Sequence, residues 1–154
     1  MWYSRAMNAN EERSHADAHP TDVAAQIAAA YACDRIGLED VAVCYYDAAW
    51  ALGVPAADRV GFMLGYGSTL RNVGRVNESI AILERASIEF PEERALRAFL
   101  ALAQYSGGEH AKSLATALDL VIALGATAPD VARYEPALIS YRDELLAEAD
   151  RSST

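Results

Sequence analysis

Apolar residues recur along this chain at three- and four-residue intervals, and glycine or proline breaks the pattern at regular distances. That spacing predicts helices and no sheet, because no segment alternates with a period of two. The first periodic run opens near Thr21, read as an N-cap, and carries Val23, Ile27, Ala30, Tyr31 and Asp34 to a stop at Gly37. A second covers about Leu38 to Leu52 and ends at Gly53, with Pro55 beyond it. A third spans about Ala56 to Val73, with Met63, Tyr66 and Leu70 on its stripe, and closes at Gly74. The fourth, Val76 to Phe90, is stopped by Pro91. The fifth runs from Glu92 to Ser106 before Gly107 and Gly108, and the sixth from His110 to Leu124 before Gly125. A final helical pattern covers 129–149. Pro136 lies within it, so that either the helix kinks there or its main segment begins at Pro136 with the ring in the first turn, and the second arrangement is preferred. Residues 1–20 are polar and irregular. They are expected to form a flexible arm, with Trp2 and Tyr3 docking on the body or on a second copy. Residues 150–154 are expected to be disordered.

The helices are not independent of one another. Gly74 and Gly108 are 34 residues apart, as are Ser79 and Ser113, Ile80 and Leu114, Gly67 and Ala101, and Tyr66 and Leu100. Small matches small in these pairs, and bulky matches bulky. A period of this length marks an array of helix–turn–helix units. Such units stack in series and leave a concave surface for a partner. The units fall at about 22–55, 59–92 and 94–126, with a capping helix over 129–149, giving a repeat domain over 21–149.

These residues resemble tetratricopeptide repeats. That motif sets a small residue where its two helices cross, a Gly between them, an Ala or Ser five residues later, and a Pro at the end. The second unit carries Gly67, Gly74, Ser79, Leu83, Ala86 and Pro91 in these roles. The third carries Ala101, Gly108, Ser113, Ala117, Leu120 and Gly125, with Gln104 where a bulky apolar residue is usual. The first carries Ala30, Gly37, Ala42, Tyr46 and Ala49, with three residues inserted around Val54 to Ala57. The runs 68–74 and 95–102 are similar to short bacterial tetratricopeptide proteins of unassigned function. The resemblance implies an all-α fold, a right-handed α-α superhelix of three helical hairpins plus a C-terminal cap.

It also implies where a partner sits. The family's groove positions fall on Ile27, Tyr31, Asp34 and Arg35 in the first unit. In the second they fall on Leu64, Ser68, Arg71 and Asn72, and in the third on Ala98, Leu102 and Tyr105. The Lys and Asn clamp of the chaperone-binding members is replaced here by Ile27, Tyr31 and Gly65, which argues against a C-terminal carboxylate as ligand. A helix or extended segment with apolar anchors fits better. The implied function is that of a protein–protein interaction adaptor. The alternative is a self-associating structural protein, a homodimer without enzymatic activity.

Composition narrows the picture further. With 53% hydrophobic residues, the 154-residue chain has enough apolar surface for one compact domain. The net charge of −9 argues against a nucleic-acid partner, which would demand clustered Lys and Arg, and Lys112 is the only lysine. No apolar run approaches the length of a membrane span, and residues 1–10 lack a signal-peptide core, so a soluble cytoplasmic protein is expected. Cys33 and Cys44 lie in helical patterns and read as buried, reduced thiols. The stretch Gly65-Tyr66-Gly67-Ser68-Thr69 superficially resembles a phosphate loop but lacks its Lys and preceding strand. His15 and His19 have metal-binding spacing without a third ligand, and the Asn77-Glu78-Ser79 sequon lies in a helix turn. No catalytic residue, metal or cofactor is expected.

Overall fold

The computed structural model describes residues 2–152, with side chains described for 9–125 and 127–152. The chain divides into two compact units, 1–75 and 76–154. The first holds α1 (Trp2–Ala18), α2 (Val23–Arg35), α3 (Glu39–Leu52) and α4 (Arg59–Asn72). The second holds α5 (Val76–Glu89), α6 (Arg94–Ser106), α7 (His110–Leu124) and α8 (Pro129–Ser152). A short 3-10 turn, Gly125–Thr127, precedes α8. No strand occurs among the described residues.

One turn geometry recurs three times. Gly37, Gly74 and Gly108 have φ of 77°, 84° and 78°. After α2, Gly37 N donates to Asp34 O and Leu38 N to Cys33 O. After α4, Gly74 N donates to Arg71 O and Arg75 N to Leu70 O. After α6, Gly108 N donates to Tyr105 O and Glu109 N to Gln104 O. Each pair of bonds satisfies carbonyls that a helix end leaves orphaned, and glycine takes the left-handed conformation without a Cβ penalty. Gly125 differs from these three. Its φ is −56°, and it leads into the 3-10 turn where the sequence suggested a simple cap.

In unit 1 the alanines of α2 let helices approach closely. Ala25 and Ala29 pack with Ala16 of α1, and Ala30, Ala32 and Cys33 are buried as well, as are Ala42 and Ala49 of α3, against which α2 packs. The aromatic core joins α3 to α4. Tyr46 stacks on Tyr66 at 5.5 Å and meets Phe62 edge-on at 5.3 Å, while Trp50 stacks on Phe62 at 6.1 Å. The N-cap of α2 is Asp22, not Thr21. Its Oδ1 accepts from Ala24 N at 3.0 Å and Ala25 N at 3.3 Å, where a carboxylate also favours the positive helix end.

Residues 2–18 are helical where the sequence led us to expect a loose arm. Long-range bonds hold α1: Gln26 Nε2 donates to Ala16 O at 2.9 Å, and Tyr45 Oη donates to Asp17 Oδ1 at 2.8 Å. Ala9 and Ala16 are buried. The side chains of Trp2 and Tyr3, expected to dock on the body or on a second copy, lie outside the described residues.

Unit 2 packs α5, α6, α7 and α8 in sequence. Leu83, Leu96, Ala103 and Ala115 form its interior. Gln104, an odd residue for its repeat position, is buried but satisfied, since Thr116 Oγ1 donates to its Oε1 at 2.8 Å. Helix α8 begins at Pro129, contrary to a start at Pro136, and Pro136 stands inside it. Pro129 already supplies the first-turn proline. Contact with α7 supports the helix, including the Arg142–Asp119 ion pair at 2.7 Å. The same helix reaches Ser152, where a disordered end was expected; residues 153–154 lie outside the described residues.

Cys33 is buried as expected, and its burial pushes the thiol above its usual range. Cys44 is exposed, on the outer face of α3, contrary to the sequence reading. No described helix is long and apolar enough to cross a membrane.

Candidate functional site

An open cleft of about 470 Å³ lies in unit 1. Helix α2 supplies Tyr31, Asp34 and Arg35, α3 supplies Tyr46, and α4 supplies Gly61, Leu64 and Gly65. Helical spacing explains the grouping. Asp34 and Arg35 follow Tyr31 by three and four residues, and Leu64 and Gly65 follow Gly61 by the same steps, so each set gathers on one side of its helix.

The two glycines create the space. A Cβ on Gly65 would lie 2.5 Å from Tyr46 Oη, so only glycine admits the phenol where it stands. A Cβ on Gly61 would meet only Tyr31 Oη, at 3.7 Å, which leaves room above it.

The floor of the cleft is fixed by hydrogen bonds. Tyr46 Oη donates to Asp34 Oδ2 at 3.0 Å, and Thr69 Oγ1 contacts both carboxylate oxygens at 3.0 and 3.1 Å. Burial pushes the Asp34 carboxyl above its usual range, and the two hydroxyls partly offset that rise. Burial also raises the Tyr46 and Tyr31 phenols, with Asp34 and Asp58 respectively adding to the effect. Tyr66 Oη donates to Asp47 Oδ1, and Arg75 pairs with Asp47 at 2.7 Å, which anchors the stacked rings from the far side.

Four of the eleven residues expected to face a partner are therefore together here: Tyr31, Asp34, Arg35 and Leu64. Ser68 and Arg71 continue the Leu64 stripe along α4 at the next helical positions, half-buried. Asn72 is exposed, but its Nδ2 donates to Glu39 Oε1 at 2.8 Å, and its Oδ1 accepts from Arg71. Ile27 does not line the cleft. It is 8% exposed and belongs to the interior of unit 1. Ala98, Leu102 and Tyr105 lie on an exposed face of α6 in unit 2.

Tyr46 and Gly61 were not singled out as cleft residues from the sequence, and Gly65 figured there only as a position where the family's clamp is missing. The available signal was the pair of glycines four apart within a helix, which strips one face of side chains. No group of three or more His, Cys, Asp or Glu among the described residues is placed to hold a metal. His19 Nδ1 is instead bonded to the backbone oxygen of His15 at 2.9 Å. An apolar and aromatic hollow with a tied-down carboxylate and a rim guanidinium is suited to binding.

Comparison with known proteins agrees with the repeat geometry. The family model described as tetratrico peptide repeat matches residues 23–145. Neither the curated proteins nor the solved structures include a match.

Proposed function

The chain belongs to the tetratricopeptide repeat family, whose repeats generally mediate protein–protein interaction, and on that premise we propose that the unit 1 cleft receives a segment of a protein partner. The observation that carries this reading is the convergence of Tyr31, Asp34, Arg35 and Leu64 on a hollow that Gly61 and Gly65 keep open. The occupant is an extended or helical segment. An apolar side chain enters between Tyr31 and Leu64, and an acceptor group meets the exposed Arg35 guanidinium. Aromatic and arginine side chains are the types that dominate interface energies. Because Tyr46 and Asp34 are already locked to each other, little ordering is left to offset on binding. Ser68 and Arg71 extend the surface along α4.

The test is retention of partners from a native lysate by immobilised full-length protein. Wild type retains a defined set of proteins, and Tyr31→Ala/Leu64→Arg loses it. Identical sets from both forms would rule the cleft out. A Gly61→Leu variant separates fold from binding. It fills the hollow, yet replacing glycine inside a helix favours the fold by about 0.5–1 kcal/mol. Binding is expected to vanish while the melting temperature holds or rises.

A further inference from the structure

A second surface, wholly within unit 2, has a different character. Leu114 and Leu118 form a ridge on α7, four residues apart, and Tyr141 and Leu145 form a matching ridge on α8. Between them lies a trough of about 600 Å³. Leu114 is 52% and Tyr141 61% exposed, so large apolar surface faces solvent on both walls. Two helices that present parallel ridges of this kind make a seat for a third helix. Exposed apolar patches of this kind, rimmed by polar residues, mark interaction sites.

The charge around the trough selects the occupant. Glu144 and Glu148 stand one turn apart on its rim, and neither side chain has a hydrogen bond or ion pair among the described residues. Two of the cations nearby are already committed. Arg142 pairs with Asp119 and Asp143, and Lys112 pairs with Glu109 at 2.9 Å. Arg151, at the end of α8, leaves the rim net negative. Residues 76–154 carry thirteen acidic and seven basic side chains. A second copy of the chain would bring its own Glu144 and Glu148 to the same rim, and like charges brought together oppose association.

We infer that the α7–α8 trough is a docking surface for a basic amphipathic helix of a partner protein, one with an aliphatic stripe flanked by Lys or Arg. The stripe lies between Leu114, Leu118, Tyr141 and Leu145, and the cations meet Glu144 and Glu148. Unit 2 supplies every residue of this surface.

The experiment titrates two fluorescent synthetic helices against the full-length chain. Both carry leucines at helical spacing; one has lysines flanking the stripe, and its twin has glutamates there. Fluorescence anisotropy is expected to show the lysine helix bound at least about tenfold tighter, with the difference shrinking as salt is raised. Glu144→Lys/Glu148→Lys is expected to reverse the preference. Leu114→Gln, at an exposed position that cannot cost the fold much, weakens binding of the lysine helix. Gly61→Leu leaves it unchanged. Equal affinity for the twins, no binding of the lysine helix up to about 1 mM, or a preference that survives the Glu144→Lys/Glu148→Lys change would overturn the inference. So would a dimer by sedimentation velocity that dissociates on Leu114→Gln and excludes the peptide, since it would assign the trough to a second copy.

Discussion

Asp34 shows how much one residue of the cleft depends on partners far away in sequence. Its carboxylate is held by Tyr46, twelve residues on, and Thr69, thirty-five on. The sequence placed Asp34 in the groove by its repeat position. It gave no sign of those bonds, because long-range pairings carry no local pattern. The raised carboxyl range has a consequence for pH. Above its ordinary value of 3.8 the folded chain holds this proton more firmly than the unfolded chain does. Stability therefore falls as pH rises through the shifted range of Asp34, and the contribution is greatest below 3.8. Urea unfolding of wild type and Asp34→Asn between pH 3.5 and 7, a range of about three to four units, checks the sign. The wild type should lose stability relative to the variant as pH rises, and a relative gain would contradict it. Gly65 is the second residue with a sharp expectation. A methyl group there would press on Tyr46 Oη at 2.5 Å. Gly65→Ala should cost about 1–3 kcal/mol through overpacking, seen as a lower melting temperature and altered near-ultraviolet dichroism from the tyrosine cluster.

At the scale of elements, most of the helices were legible because their periodicity and their stops agree. Helices α2 to α7 lie where the apolar spacing put them, with ends moved by up to three residues. The glycine stops after α2, α4 and α6 were legible because only glycine enters the left-handed turn cheaply, and the structure gives all three the same bonding. Replacing one of them tests that. Gly108→Ala should destabilise by about 1–2 kcal/mol through the left-handed backbone alone, since no atom lies near the added Cβ. A melt unchanged within error would mean that the turn relaxes at no cost. Helix α1 was not legible. Its sequence is polar, and its helical state rests on Gln26, Tyr45 and the buried Ala16, contacts that only the folded chain assembles. The first residue of α8 was misread because two prolines competed for one role. Pro129 took the first turn and left Pro136 inside the helix.

For the whole molecule, the 34-residue period was enough to establish an all-helical repeat protein, and the family match over residues 23–145 agrees. The candidate site was only partly legible. Repeat positions located Tyr31, Asp34, Arg35 and Leu64, since they lie on the helix faces that the motif leaves uncovered. The same positions could not report that Ile27 is buried, or that the hollow owes its depth to two missing side chains on α4. Those facts depend on distances between helices, which a repeat motif does not encode. The most direct measurement is site-specific photocrosslinking. A photoreactive phenylalanine analogue at position 64, in the wall of the cleft, is irradiated in cells that express the chain. The account predicts discrete covalent adducts with a partner protein, lost when Gly61→Leu is added and retained when the analogue is accompanied by Leu114→Gln. Absence of any adduct, or adducts indifferent to Gly61→Leu, would contradict it.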